Sequence, residues 1–233
     1  MLADPSIPRA ALVTGGAKRL GRAMVEALAA DGFAVAIHCH ASEAEAESLA
    51  KSIRERGGRA AAVAADVAAE AEVETLIARA AAAGGPLGCL VNNASIFEMD
   101  TAATANRESW DRHLEPNLRA PFLLAQRFAE ALPEGAHGLV VNMLDQRVWN
   151  LTPYFISYTL SKSGLWTLTQ TLALALAPRV RVCGIGPGPT LPSPRQTEAD
   201  FARQCRQTPL GHGPTPEEIA MTLRFLLAAR SIT

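Results

Sequence analysis

This 233-residue sequence lacks an excess of charge of either sign and lacks any long apolar run. Its 22 Lys and Arg residues balance 23 Asp and Glu residues to a formal net charge of −1. That balance gives no electrostatic reason to expect nucleic acid or an anionic membrane as a partner. The apolar stretches are too short or too interrupted to span a bilayer, and the first residues do not form a signal peptide. We therefore expect a small molecule as the partner.

Paired cysteines and clustered metal ligands are also lacking. The four cysteines are far apart, with no CxxC pair: Cys39, Cys89, Cys183 and Cys205. Three of them lie in apolar, strand-like stretches, where a thiol behaves as a small hydrophobic group, so we expect reduced cysteines. The lack of a signal peptide and of a membrane span leads us to expect a cytoplasmic location. The histidines are not spaced as paired ligands and no Cys or carboxylate completes a set, so no metal site is predicted.

What the sequence does contain is a regular alternation of short and long patterned segments. Short runs rich in Val and Ile predict strands at Ala10 to Val13, Phe33 to Ile37, Ala60 to Val63, Cys89 to Val91, Leu139 to Val141 and Val180 to Ile185. Longer segments with helical spacing lie between them, at Leu20 to Ala30, Glu43 to Arg56, Ala69 to Ala83, Ser109 to Leu132 and Tyr158 to Ala177. Alternation of this kind predicts one α/β domain over residues 1–233, with a doubly wound parallel sheet.

A glycine-rich run follows the first strand and leads directly into a helix. It reads Thr-Gly-Gly-Ala-Lys-Arg-Leu-Gly, from Thr14 to Gly21. Glycines in this position let the backbone approach a pyrophosphate, and the helix N-terminus supplies free N–H groups. The residues predicted to bind phosphate in this run are Gly15, Lys18, Arg19, Leu20 and Gly21. The alternative is a tight strand-to-helix turn with no ligand.

The end of the second strand indicates which dinucleotide is bound. A free ribose 2′-hydroxyl is usually held by an acidic residue about 20 residues past the glycines, and none is present at that place. His38, His40 and Ser42 occur there instead, and with Lys18 and Arg19 they can donate hydrogen bonds to a 2′-phosphate. We therefore predict NADP rather than NAD. The alternative is that the histidines are ordinary residues at a strand end.

Tyr158 and Lys162 stand four residues apart at the start of the fifth predicted helix, so they share one face. A phenol with a pKa of about 10 is a poor acid-base group near neutrality, and a nearby ammonium favours the phenolate. The spacing therefore suits a proton donor and a residue that adjusts the pKa of that donor. Many solvated helices carry such a pair, so the pair alone does not identify a site.

The pair occurs together with the glycine run, Asn92-Asn93-Ala94 and Pro187-Gly188. In this combination the chain resembles the short-chain dehydrogenase/reductase family over nearly its whole length. The resemblance implies a Rossmann-type sheet in the order 3-2-1-4-5-6 with a seventh strand, a homotetramer, and a tyrosine that exchanges the substrate proton. It also implies that Asn117 kinks a long helix and orders a water. Further cofactor contacts implied by the resemblance are Asp66, Val67, Asn93, Ala94, Ser95, Pro187, Gly188 and Thr190, with Tyr158 and Lys162.

Two departures from the family pattern narrow the assignment. Arg19 stands where the family usually has a glycine, and Asp145 stands where it has a serine, 13 residues before the tyrosine. With the His-Cys-His-Ala-Ser strand end and Asn-Asn-Ala-Ser-Ile-Phe, the chain resembles the pteridine reductase branch. That resemblance implies that Asp145 orients or protonates a pterin and that Phe97 stacks on it. The alternative for Asp145 is an aspartate in a surface loop, and the alternative for Phe97 is a phenylalanine that only packs in the core.

The leading hypothesis is reduction of a dihydropterin by NADPH with Tyr158 as the proton donor. A second hypothesis keeps the cofactor and replaces the substrate by a ketone or secondary alcohol. A third is an NADPH-binding sensor without turnover. We expect residues 189–214 to form a lid over the substrate. The family continues into a seventh strand where this chain has Ser231 to Thr233, and we expect truncation because an open sheet edge is a pairing liability.

Overall fold

The computed structural model describes residues 3–193 and 196–233 of one α/β domain. Its strands are β1 (Ala10–Val13), β2 (Ala34–Cys39), β3 (Arg59–Ala64), β4 (Cys89–Asn92), β5 (Gly138–Met143) and β6 (Val180–Ile185). Its helices are α1 (Arg19–Ala30), α2 (Glu43–Glu55), α3 (Glu70–Gly84), α4 (Arg107–Leu114), α5 (Ala120–Ala131), α6 (Ile156–Leu176), α7 (Glu198–Arg206) and α8 (Pro216–Ala228). No helix within the described ranges is long and apolar enough to cross a membrane.

The six strands form one parallel sheet in the order β3-β2-β1-β4-β5-β6. This confirms the predicted Rossmann-type topology. The order reverses between β1 and β4, where Leu12 pairs with Ala36 on one side and with Leu90 on the other. Crossovers leave this point in opposite directions, so a crevice opens there at the carboxyl ends of the strands. The motifs predicted to bind the cofactor follow these strand ends.

Each face of the sheet is covered by three helices, which explains why the strands are apolar on both sides. Residues of α1, α2 and α8 pack on one face, and residues of α3, α5 and α6 pack on the other. The described segment that follows α8 lies against β6, because Val182 N donates to Thr233 Oγ1 at 3.0 Å and Arg181 donates to the Ile232 carbonyl at 2.9 Å. Within the described residues the sheet has six strands.

A π-helical segment, Glu115–Arg119, joins α4 to α5 into one continuous element. The spacing pattern predicted a single helix from Ser109 to Leu132, and the family resemblance implied a kink at Asn117. The continuous element confirms the single predicted helix, and Asn117 lies in its wider, π-helical turn. Pro116 has no N–H to continue the helical hydrogen bonds, which favours a local change of turn at this place.

Candidate active site

A cavity of about 960 Å³ opens at the carboxyl ends of the strands. It brings together most of the residues that sequence reasoning selected. Those residues are Gly15, Lys18, Arg19, Leu20, Gly21, Asn93, Ala94, Ser95, Phe97, Asp145, Tyr158, Lys162, Pro187, Gly188 and Thr190. Such a concave surface at the switch point of a parallel sheet is the usual location of a ligand site in this architecture.

The glycine-rich loop brings its backbone to the wall of the cavity. Gly15 has a φ of +60°, which L side chains rarely adopt, and a Cβ on Gly21 would lie 2.2 Å from the Gly15 carbonyl oxygen. Lys18 caps α1 without a side-chain hydrogen bond, and the first turn of α1 has no acidic residue. The N–H groups and the positive end of the α1 dipole are therefore open to an anionic group. The loop fits a pyrophosphate.

The two cations of the loop have different partners. Lys18 pairs with Glu45 at 2.6 Å, while Arg19 donates to the Leu191 carbonyl at 3.2 Å. Arg19 has a φ of 53°, a left-handed conformation that favours glycine. This accounts for the family's usual glycine at that position. The conformation places the arginine side chain in the cavity wall beside the segment that follows β6.

His38 lies beneath the loop. Its geometry does not fit the predicted direct contact with a cofactor phosphate. Its Nδ1 accepts from Gly15 N and its Nε2 donates to the Ala65 carbonyl, both at 3.0 Å. Burial lowers its pKa to about 4, so the ring is neutral at physiological pH. Because both ring nitrogens are bonded to main chain, His38 shapes the loop.

Four other predicted cofactor contacts lie outside the cavity lining: His40, Ser42, Asp66 and Val67. His40 is exposed immediately after β2, and Ser42 is half-buried at the start of α2. Asp66 accepts from Ala68 N at 2.9 Å and so closes a turn beyond β3. These residues follow β2 and β3, on the side toward which a bound dinucleotide would extend in this fold.

The end of β4 is fastened to the loop through Asn93. Its Nδ2 donates to the carbonyl oxygens of Thr14 at 2.8 Å and Gly15 at 3.1 Å. Thr14 Oγ1 accepts from Asn93 N and Ala94 N, each at 2.9 Å. These bonds hold together the two strand ends that flank the crevice.

Tyr158 and Asp145 meet inside the cavity. The Tyr158 hydroxyl donates to Asp145 Oδ2 at 2.7 Å, and Asp145 Oδ1 accepts from Arg147 N at 2.8 Å. The second bond caps a short 3₁₀ helix, Gln146–Val148, and fixes the carboxylate. Burial and the Asp145 charge raise the pKa of Tyr158, because both disfavour the phenolate. Tyr158 is therefore a hydroxyl donor at neutral pH.

Lys162 lies one turn further along α6 and is buried. Its Nζ donates to the Met143 carbonyl at 2.8 Å and lies 5.9 Å from the centroid of the Tyr158 ring. Burial lowers the pKa of Lys162 to about 8. The prediction that this ammonium lowers the tyrosine pKa is wrong for the structure, because burial and Asp145 raise that pKa and the opposing effect comes from Arg147.

Asn117 is fully buried behind the cavity rather than in its lining. Its Oδ1 accepts from Ile96 N at 2.9 Å, and its Nδ2 donates to the Ile96 carbonyl and to Ser161 Oγ, both at 3.0 Å. The asparagine thus connects the segment after β4 to α6. It ties Ile96, which precedes Phe97, to Ser161, which lies three residues after Tyr158.

Aromatic side chains form one wall of the cavity. Phe97 stacks on Phe155 with centroids 4.4 Å apart and meets the Tyr158 ring edge-on at 4.6 Å. Phe97 is 38% exposed, so the alternative of a buried core residue does not apply. Arg147 lies over the Phe155 ring at 4.5 Å and over Phe97 at 5.5 Å. The wall beside the tyrosine is therefore aromatic and partly exposed.

Sequence reasoning missed a buried polar cluster that holds this wall. Ser157 Oγ donates to Asp100 Oδ2 at 2.5 Å and lies 2.8 Å from His113 Nδ1. His113 Nε2 accepts from Glu98 N, and Asp100 O accepts from Phe155 N. The cluster clamps the segment that follows Phe97 onto the start of α6. No sequence signal marks it, because its members are dozens of residues apart.

The sequence profile of the family described as short chain dehydrogenase matches residues 9–202. A curated relative, 3beta-hydroxysteroid dehydrogenase 1 of Eggerthella lenta, is 32% identical over 222 residues, which cover 92% of this chain and 85% of that protein.

Two similar solved structures are complexes of FolM alternative dihydrofolate reductase 1 with NADP. The Brucella canis protein is 49% identical with a TM-score of 0.95, and the match covers 99% of this chain and 92% of that chain. The Brucella suis protein is 51% identical with a TM-score of 0.93, and the match covers 96% and 90%. From the family profile and these relatives together, the chain belongs to the short-chain dehydrogenase family.

Proposed function

We propose that this protein reduces a dihydropterin with NADPH, with Tyr158 as the proton donor. It is an NADP-dependent oxidoreductase of its family, as the NADP-bound relatives support. The observation that carries the substrate class is the hydrogen bond between Asp145 and Tyr158 beside the Phe97 ring. The dihydrofolate reductase name of the Brucella proteins agrees with this class of substrate.

The residues of the crevice fit the cofactor. The loop from Gly15 to Gly21 and the start of α1 receive the pyrophosphate, and Arg19 with His40 and Ser42 receives the 2′-phosphate. Asn93, Ala94, Ser95, Pro187, Gly188 and Thr190 line the remaining wall, while Asp66 and Val67 contact the adenine side. When bound, the nicotinamide supplies the hydride. Lys162 holds the nicotinamide ribose.

The substrate half of the cavity suits a flat heterocycle with N–H groups. Phe97 offers a stacking face, and the Asp145 carboxylate accepts hydrogen bonds from an amino group and a ring N–H in a pterin. The serine usual in the family cannot offer that bidentate acceptor. Tyr158 keeps its proton until a nitrogen of the substrate gains electron density, because burial and Asp145 disfavour the phenolate beforehand.

We assign to Lys162 and Asn117, which lie behind Tyr158, the role of returning a proton to the tyrosine. Lys162, with a pKa lowered to about 8, gains and loses a proton close to neutrality. Asn117 fixes Ser161, which lies next to Lys162 in the chain, and we propose that it also orders the relay water. The tyrosine, lysine, aspartate and asparagine then act as one catalytic unit.

The segment 189–214 is proposed as the lid over the substrate. Its described residues include Pro189, Leu191, Phe201 and Gln204 in the cavity lining, and residues 194 and 195 lie outside the described part of the chain. Helix α7 forms the middle of this segment and has no buried residue. Such shallow packing favours local opening at low free-energy cost.

We also propose a cytoplasmic homotetramer. All four cysteines are free thiols, which suits a reducing compartment. Large apolar side chains, including Phe122, Leu174 and Phe225, are exposed on α5, α6 and α8, and such side chains are available for contacts between subunits. Sedimentation at four times the mass of the chain would support the tetramer, and sedimentation as a monomer would refute it.

The experiment that tests the mechanism compares wild type with Tyr158→Phe. With 7,8-dihydrobiopterin as the substrate, we expect turnover to fall by orders of magnitude, while NADPH binding measured by fluorescence titration stays within a few-fold. Phenylalanine keeps the ring that meets Phe97 and removes only the hydroxyl. Undiminished turnover would remove the tyrosine from the mechanism. NADPH binding by wild type without turnover of any pterin or carbonyl compound would favour a sensor.

A further inference from the structure

Lys18, a cation of the glycine-rich loop, forms an ion pair with a residue of the next helix. Its Nζ lies 2.6 Å from Glu45 Oε1, and both side chains are half-exposed. Lys18 lines the cavity, whereas Glu45 lies in the first turn of α2. The pair therefore joins the cofactor loop to α2.

Contacts at the end of β2 show which side of the cavity this pair belongs to. Gly16 N donates to the His38 carbonyl at 2.9 Å, and Gly15 N donates to His38 Nδ1 at 3.0 Å. The loop thus lies directly against the end of β2, where this fold binds the adenine ribose of a dinucleotide. Lys18 comes from that loop and Glu45 from the helix that follows β2. Both residues therefore belong to the side where a ribose 2′-phosphate would bind.

The two members of the pair act on such a phosphate in opposite ways. An ammonium binds a phosphate through charge-assisted hydrogen bonds, and a carboxylate repels it. The hydrogen bond from Lys18 lowers the pKa of the Glu45 carboxyl, so Glu45 is charged near neutrality. An exposed ion pair contributes little free energy. A phosphate, which carries more negative charge than a carboxylate, can therefore displace Glu45 from Lys18.

We propose that Glu45 is a specificity-determining residue that competes with the 2′-phosphate of NADPH for Lys18 and so limits the preference for NADPH over NADH. Binding of the phosphate requires the ammonium to exchange partners. NADH has a free 2′-hydroxyl at that place and leaves the ion pair intact. This inference rests on the 2′-phosphate site of the proposed function and is independent of the pterin.

The test measures the Kd of NADPH and of NADH by fluorescence titration of the purified protein without substrate, for wild type and Glu45→Gln. Glutamine keeps the size of the side chain and removes its charge. We expect Glu45→Gln to tighten NADPH binding about threefold or more, because Lys18 is released from an exposed ion pair. The Kd of NADH should stay within about 1.5-fold, because NADH does not compete for Lys18. The gain for NADPH should shrink in about 0.5 M KCl, because salt screens exposed charges.

Glu47→Gln is the matched control, because Glu47 is an exposed glutamate of the same helix that pairs with Arg54 at 2.6 Å. It should leave both Kd values unchanged. A second comparison introduces Glu45→Gln into a Lys18→Gln background. There it should lose most of its effect on NADPH binding, because the effects of two residues in contact are not additive.

An equal gain for NADPH and NADH would overturn the inference, because Lys18 would then serve the pyrophosphate that both cofactors share. An undiminished gain in the Lys18→Gln background would also overturn it and show that Glu45 repels the phosphate directly. Unchanged or weaker NADPH binding by Glu45→Gln would refute the competition. If neither wild type nor Glu45→Gln binds NADPH more tightly than NADH, the proposed 2′-phosphate site fails and the inference fails with it.

Discussion

At the residue scale, Lys162 is a buried residue that we propose to gain and lose a proton during turnover. Because burial lowers its pKa to about 8, the free enzyme loses the ammonium as the pH rises through that value. We expect kcat/KM to fall above pH 8 if the protonated lysine is needed. A pH profile of kcat/KM for the pterin measures this, since kcat/KM reports groups of the free enzyme. An alkaline limb that begins only near pH 10 would contradict the assignment.

The buried ring of His38 leads to a separate prediction about stability. Its pKa is lowered from 6.5 to about 4 in the folded chain, so between these values the unfolded chain binds a proton that the folded chain does not. Stability should therefore fall as the pH drops from 6.5 to 4, by on the order of 3 kcal/mol from this residue.

Urea denaturation at several pH values, for wild type and His38→Gln, isolates that contribution. The variant should show a shallower fall in the free energy of unfolding over this range, because glutamine does not titrate. Parallel curves for the two proteins would show that His38 is not buried as a neutral ring.

Residue-level prediction from sequence brought together residues whose chemistry follows from residue type and place. Tyr158, Asp145 and Phe97 do meet in one cavity. It failed for His38, because a strand-end histidine that faces a ligand has the same sequence signature as one that turns beneath the loop. Arg147 was also missed, because the segment after Asp145 has no periodic pattern to show which side chains face the cavity.

At the element scale, the start of α6 depends on a residue from a distant loop. Phe155 at the N-cap has a φ of 60° and makes no side-chain cap. Asp100 supplies the missing acceptor by binding Ser157 N and Ser157 Oγ, which lowers its own pKa despite the opposing effect of burial. The helix that carries Tyr158 and Lys162 is thus fastened to the segment that carries Phe97.

Asp100→Ala should therefore destabilise the protein by about 2 kcal/mol, because it leaves buried donors of α6 without an acceptor. The free energy of unfolding from urea denaturation measures the effect. Asp111→Ala removes an exposed i,i+4 pair with Arg107 on α4 and should cost less than about 0.5 kcal/mol. Equal values for the two variants would mean that Asp100 does not hold α6.

The elements themselves were predictable because buried parallel strands appear in the sequence as apolar runs, and the segments between them have apolar residues at helical spacing. β1 and β6 were predicted with the bounds that the structure shows, and β3 extends one residue beyond the prediction at each end. The clamp around Asp100 was not predictable, because its hydrogen bonds join residues that only the tertiary fold brings together.

At the scale of the whole molecule, the sheet order determines where chemistry occurs. The reversal between β1 and β4 opens the crevice, and the ends of β4, β5 and β6 bring asparagine, aspartate and the Pro187-Gly188 turn to its rim. Sequence motifs therefore predicted one continuous site. The choice between a pterin and a carbonyl substrate depends instead on a few contacts around Asp145 and Phe97.

The measurement that tests the central claim most directly is the rate of NADPH oxidation by the purified protein with 7,8-dihydrobiopterin. The same assay with NADH and with a panel of ketones provides the comparison. We predict turnover with NADPH and the pterin, far slower turnover with NADH, and little with the ketones. Turnover of ketones but not of the pterin would contradict the claim and assign the same tyrosine and lysine to a carbonyl reductase.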